Sequence, residues 1–244
     1  ELEVLYPLVA MRLIISLTKS AINQEKEPDN AYLQISEKPA WEVLKKWKLI
    51  SPSLAHYSFR SVCGFTAHPK EEAFKDWASQ QKTSINMLFP DLKIQRIEKV
   101  DMSVGSTWMG HESEYLNNTF TEYKLQELKK GNSQSIIAGG YLETRPFYIT
   151  KAYQKESIQG PIYRSVHLGV DIWLEAETAI HAPFDGEVFS IYHNDADKDY
   201  GPTLILQHQT EEGLPFYSLY GHLSHSSLKQ VTKGQKLKQG DLIA

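Results

Sequence analysis

The chain has 244 residues, of which 41% are apolar and 23% charged, and a formal net charge of −4 from 26 basic and 30 acidic side chains. That make-up belongs to a folded globular protein and excludes a disordered tail, a collagen-like chain or a coiled coil. With no basic excess to neutralise phosphates, no nucleic-acid partner is expected.

Cys63 is the sole cysteine. No disulfide can form within the chain, and a reducing, cytoplasmic setting is expected. The chain starts at Glu1 rather than Met, as a processed or cut chain does. The longest apolar run near the start, Leu8 to Leu17, is broken by Arg12 and is short for a membrane span, so no membrane partner is expected.

Leu2, Leu5, Leu8 or Val9, Leu13 and Leu17 recur at three- and four-residue steps and predict a first helix. Asn23 to Asn30, with Pro28, predicts a loop. A second helix follows, with Pro39 in its first turn, Trp41, Leu44 and Trp47 on one face, and Pro52 as its stop. Pro69 opens a helix to Gln80 with Phe74 and Trp77 inward. Leu92 to Val100 alternates as a half-buried strand does. Leu116 to Lys130 reads as a charged helix stopped by Gly131-Asn132.

From Ile136 onward, short apolar runs are punctuated by Gly, Pro, Asn and Asp, the pattern of a sandwich or barrel. The expected strands are Val166–Trp173, Glu187–Tyr192, Thr203–Gln207, Phe216–Tyr220 and Asp241–Ala244. The predicted class is α+β, a helical segment followed by an all-β domain. The expected divisions are a helical tail over 1–52, a mixed connecting region over 53–139 and the β domain over 140–244.

Three features of the β region carry chemistry. His167-Leu-Gly-Val-Asp171 places an imidazole and a carboxylate, both zinc ligands, four residues apart around Gly169. Alone, such a spacing is more often structural. Tyr220-Gly-His222-Leu-Ser224 ends an apolar strand, and alternation would put Tyr220 and His222 on one face. Alone, His222 reads as a half-buried histidine bonded to a loop. The frame around them is Ala182-Pro-Phe-Asp-Gly186-Glu-Val, Tyr200-Gly-Pro-Thr-Leu-Ile-Leu and the glycine-punctuated run from Lys233 to Ala244. His56, His68, His111, His181, His193 and His225 read as structural, and Cys63 as a buried small apolar residue rather than a nucleophile.

In this order, the three features resemble the lysostaphin/LytM-type zinc metalloendopeptidases over about 80 residues, His167 to Ala244. The resemblance implies a barrel-sandwich hybrid fold and a peptide-like substrate. It makes His167 and Asp171 zinc ligands, and His222 the non-ligand catalytic histidine that steadies negative charge in the transition state. The family's third ligand is the second histidine of a His-x-His motif downstream of the glycine hairpin. No His-x-His occurs in the sequence, so that ligand is expected outside the chain. With two ligands of three, weak or absent zinc and no hydrolysis are expected.

Residues 1–13, 28–33 and 39–41 resemble the last helices of aminoglycoside-phosphotransferase/choline-kinase-like proteins. Arg60–Gly64, Val100–Gly105 and Gly140–Arg145 look like the connecting region of large bacterial proteins that join such a domain, a peptidase-like domain and a class III aminotransferase. On this resemblance the chain is a middle piece of such a protein. Its partners are the phosphotransferase-like and aminotransferase domains of the same chain, and pyridoxal phosphate is bound only beyond Ala244. The alternative is a non-catalytic scaffold or carrier-like module. A carrier needs an exposed modifiable lysine, and Asp197-Lys198 is the nearest pair, in the wrong context.

Overall fold

The computed structural model describes residues 1–129, 135–157, 160–196 and 198–244. The expected stop at Gly131-Asn132 and Asp197 lie outside these. Packing divides the chain into two compact units, Glu1–Gln81 and Lys82–Ala244. The helix and strand content is that of an α+β protein.

The first unit carries α1 (Leu2–Lys26), α2 (Glu37–Lys48), α3 (Pro52–Val62) and α4 (Glu71–Gln80). Along α1, Leu17 and Ser20 are buried and Leu2, Tyr6, Val9 and Leu13 half-buried, whereas Leu5 and Leu8 point outward. The packed stripe therefore runs through Tyr6, one step round the helix from the expected one. Tyr6 stacks on Trp47 at 5.2 Å. Its hydroxyl donates toward the carbonyls of Trp47 and Ile50 at 3.1 and 3.0 Å, and Trp47 Nε1 donates to the Tyr6 carbonyl at 3.2 Å. This reciprocal set ties α1 to the end of α2.

Helix α1 runs through Arg12 and absorbs Asn23 to Lys26 before the chain turns. At 25 residues and a mean hydropathy of 1.4 in its most apolar window, it is long and apolar enough, by length and composition, to cross a membrane. The sequence expectation counted only Leu8 to Leu17 and took Arg12 as an interruption. Pro52 is the first residue of α3 and not only a stop for α2, a place where its missing N–H leaves no bond unmade. Cys63, expected to be buried, is exposed, because it caps the C-terminal end of α3. In α4, Phe74 and Trp77 are half-buried with ring centroids 5.7 Å apart.

In chain order the second unit carries β1 (Arg96–Lys99), α5 (Glu112–Tyr115), α6 (Asn118–Lys129), β2 (Ser135–Gly139), β3 (Glu143–Thr144), β4 (Gln154–Ser157), β5 (Gly160–Tyr163), β6 (Val166–His167), β7 (Asp171–Trp173), β8 (Gly186–Asn194), β9 (Gly201–Gln209), β10 (Pro215–Tyr220) and β11 (Lys236–Leu237). The inward phase over 92–100 runs through Leu92, Ile94, Glu98 and Val100, so Ile97 is exposed and the strand is short. Val166–Trp173, expected as one strand, is broken at Gly169 into β6 and β7.

The main sheet is antiparallel in the order β10-β9-β8-β11. Its inner face holds a core of Ala182, Val188, Leu204, Leu206, Val231, Leu237 and Ile243. Asp241–Ala244 forms a single bridge, His181 to Leu242, and not a strand. Asp185 pins the glycine hairpin by accepting from Lys238 Nζ at 2.6 Å and the Gln239 N–H at 2.8 Å.

A second sheet runs β1-β2-β7, with β2 parallel to β1 and antiparallel to β7. It covers Val100, Met102, Met109, Leu125 and Ile137, against which Trp108, Phe147 and Trp173 pack. Residues before 140 and after 165 thus share one sheet. Leu206 is fully buried in the main core. Leu206→Ala is expected to lower unfolding free energy by about 2–5 kcal/mol, read from urea denaturation midpoints, because deletion leaves a cavity as well as lost transfer energy.

Candidate active site

Two short ladders create the site. In one, β3 pairs with β6 and sets Glu143 opposite His167; in the other, β2 pairs with β7 and sets Gly139 opposite Asp171. His167 and Asp171 therefore end neighbouring ladders, and Leu168 to Val170 carry the chain from one to the other. His167 Nε2 lies 3.6 Å from Asp171 Oδ1. That is too long for a hydrogen bond but close to the spacing of two ligand atoms on one tetrahedral zinc, about 3.4 Å for bonds of roughly 2.0–2.1 Å.

The far side of each group is occupied. His167 Nδ1 lies 2.9 Å from the Gly140 carbonyl. A carbonyl only accepts, so Nδ1 carries a proton, and in the neutral tautomer this leaves the Nε2 lone pair facing outward. Asp171 Oδ2 is taken by Arg145 Nη2 in an ion pair. Both inner atoms are left facing the same space. Gly169 borders it: a side chain there would come within 3.2 Å of His167 Nε2.

Arg145 organises the floor. Its side chain is only 5% exposed. Nε donates to Glu143 Oε2 at 2.8 Å and Nη1 to the Tyr148 hydroxyl oxygen at 3.2 Å. Glu143 Oε1 accepts the Met102 N–H at 2.7 Å. Burial pulls the Arg145 value down, but Asp171 and Glu143 outweigh it, so the guanidinium is held more firmly charged than usual.

An aromatic shell adjoins the pair. Tyr148 stacks on Tyr153 at 4.5 Å, and its ring centroid is 6.3 Å from that of His167. Burial raises the Tyr148 phenol against the opposing pull of Arg145, and burial pushes Tyr153 up to about 12. The Tyr153 hydroxyl donates to the Lys198 carbonyl. Tyr200 is close enough to both phenols to raise them, and it packs on Gly221.

His222 follows the end of β10. Its backbone is left-handed at φ 56°, and its N–H donates to the Tyr200 carbonyl at 2.6 Å. Strand alternation therefore does not extend to it, and the expected shared face with Tyr220 fails: Tyr220 is half-buried and His222 exposed. Among the described residues no hydrogen bond, ion pair or ring contact joins its ring to His167 or Asp171. Two of the three residues are thus brought together, and the third, His222, is tied by its backbone N–H to Tyr200.

His208 is buried, with Nδ1 2.9 Å from the Asp185 carbonyl and Nε2 2.7 Å from Ser218 Oγ, a structural role. His193 and His225 meet edge to face at 4.6 Å on the surface. Among the described residues no group of three His, Cys, Asp or Glu side chains is placed to hold a metal ion.

Residues 165–244 match the family model Peptidase family M23. The match supports a peptidase-like function for this region, and M23 peptidases typically depend on zinc. No curated protein and no solved structure matches the chain. The M23 match takes in His167, Asp171, His222 and the main sheet, but not Gly140, Glu143, Arg145 or Tyr148. Sequence reading missed these four as site residues. Their signal was Glu143-Thr-Arg145, opposite charges two apart and so on one face of a strand, just after a glycine pair.

Gly140 has φ +98°, and a Cβ there would meet Arg145 Nη2 at 2.3 Å and His167 Nδ1 at 2.7 Å. Gly140→Ala is expected to cost about 1–3 kcal/mol through backbone strain alone, seen as a lower denaturation midpoint, and to displace the His167 ring, seen in its imidazole NMR signals. For Tyr153, the raised phenol value means that its stabilising contribution is complete below pH ~10, the unfolded value, and fades as pH rises through about 12. The stability advantage of the wild-type chain over Tyr153→Phe should narrow across that interval in denaturation curves.

Proposed function

We propose that residues 140–244 form a metallopeptidase-type site in which His167 Nε2 and Asp171 Oδ1 are two protein ligands of zinc. The carrying observation is the 3.6 Å approach of two candidate ligand atoms whose other atoms are already satisfied by protein groups. A bound zinc would supply a Lewis acid for a peptide carbonyl and a water acidified toward neutrality. Gly140 holds the His167 ring in the tautomer that presents Nε2. His222, exposed on the turn after β10, would be the group that donates a proton or hydrogen bond to developing negative charge on a bound peptide. The barrel-sandwich reading of 140–244 belongs to this proposal and rests on the four-stranded antiparallel sheet with the short ladders beside it.

With only two ligands among the described residues, this chain is expected to hold zinc weakly and to leave peptides uncut. The larger context, a middle piece of a bacterial multidomain class III aminotransferase in the cytoplasm, is part of the same proposal and rests on the flanking sequence resemblance alone. A specific observation favours the scaffold alternative: among the described residues no hydrogen bond, ion pair or ring contact joins the His222 ring to the ligand pair.

Zinc titration of the chain, followed by calorimetry, separates these readings. Binding weaker than micromolar, lost in both His167→Ala and Asp171→Ala, is expected. Sub-micromolar affinity would overturn the two-ligand reading, and unchanged binding in either variant would overturn the ligand assignment.

A further inference from the structure

Arg145 lies twenty residues before the M23 match begins, yet it touches a proposed ligand. We propose that Arg145, held by Glu143, is a positioning residue for the metal: by occupying Asp171 Oδ2 it presents Oδ1 alone to a cation shared with His167 Nε2. This inference rests on the reading of His167 and Asp171 as ligands.

The arrangement leaves Arg145 no freedom. Its backbone N–H donates to the Ser165 carbonyl at 2.8 Å, which anchors the root of the side chain. Its guanidinium donates from three different nitrogens to three partners: Nε to Glu143, Nη1 to Tyr148 and Nη2 to Asp171. The rings of Phe147 and Tyr148 lie 5.6 and 5.8 Å from its central carbon. Glu143 is itself fixed by the Met102 N–H. The planar fork therefore transmits the position of β3 to one oxygen of a carboxylate on β7. A free carboxylate rotates and can ligate through either oxygen or both; this one has a single free edge, and it points at His167. The same logic fixes the imidazole through Gly140, so both ligands are oriented before a metal arrives.

A purely structural ion pair would join β3 to β7 without affecting metal geometry, and the two roles separate experimentally. Co2+ binding to the full chain is read from visible d–d absorption, and Zn2+ binding by competition with a chromophoric chelator. The variants are Arg145→Gln and Arg145→Lys, with His167→Ala and Asp171→Ala as references and circular dichroism as the folding check. Arg145→Lys keeps the charge but replaces the fork by a single ammonium, which cannot span Glu143 and Asp171 in one plane. It remains informative if Arg145→Gln does not fold.

The expected result is an affinity loss of about tenfold in each folded Arg145 variant, the usual effect of removing a group that orients a ligand, with an altered Co2+ spectrum. A folded Arg145→Lys that melts lower but matches the wild type in affinity and spectrum, while both reference variants lose binding, overturns the positioning role alone. Reference variants that bind Co2+ like the wild type overturn the ligand reading, and this inference with it.

Discussion

A guanidinium at 5% exposure cannot be left without partners, and the second unit is arranged around meeting that demand. Arg145 needs two carboxylates and finds them on different strands, Glu143 on β3 and Asp171 on β7. Glu143 in turn takes the N–H of Met102, a member of the core beneath β1-β2-β7. The ion triad thus links an apolar core to a polar cleft. The strand registers follow the same constraint: only with Glu143 opposite His167, and Gly139 opposite Asp171, does the Arg145 fork reach both acids.

The apolar patterns that made the β region legible were those of long strands. β8, β9 and β10 appear where glycine spacing and apolar runs put them: β10 and the second half of β9 alternate inward and outward, and β8 does so until the register shift between Val188 and Ser190. The short ladders were not legible as such. A two-residue strand has no period to detect, and β3 and β6 are defined by hydrogen-bonded register alone. The α1 stripe was legible in its period but not its phase, because Tyr6 packs through ring and hydroxyl together and so displaces Leu5 from the buried face.

The site was half legible for a related reason. His167 and Asp171 lie four residues apart, so one local motif contains both. Gly140 and Arg145 reach them from 27 and 26 residues upstream, through pairing that no local spacing encodes. The expected shared face of Tyr220 and His222 is lost for a different reason. Alternation was extended two residues past Tyr220, but the chain leaves the strand at Gly221 and turns left-handed at His222, drawn there by the short bond to the Tyr200 carbonyl.

Charge explains why the triad contains two acids and not one. Arg145 paired with Asp171 alone would form a neutral couple, and a cation approaching Asp171 Oδ1 would meet an opposing positive charge a few ångströms behind it. Glu143 removes that opposition by neutralising Arg145 from the far side, at 2.8 Å. The Glu143-Arg145-Asp171 set then carries one net negative charge, and it is expressed at the carboxylate that is 26% exposed, not at the one that is 8% exposed. Arg145 can therefore orient Asp171 without cancelling the negative charge that the proposed metal would meet, and the Met102 N–H bond to the other oxygen of Glu143 fixes that acid in place. The buried acid that no ligand motif would select is what would make an arginine compatible with the proposed cation site.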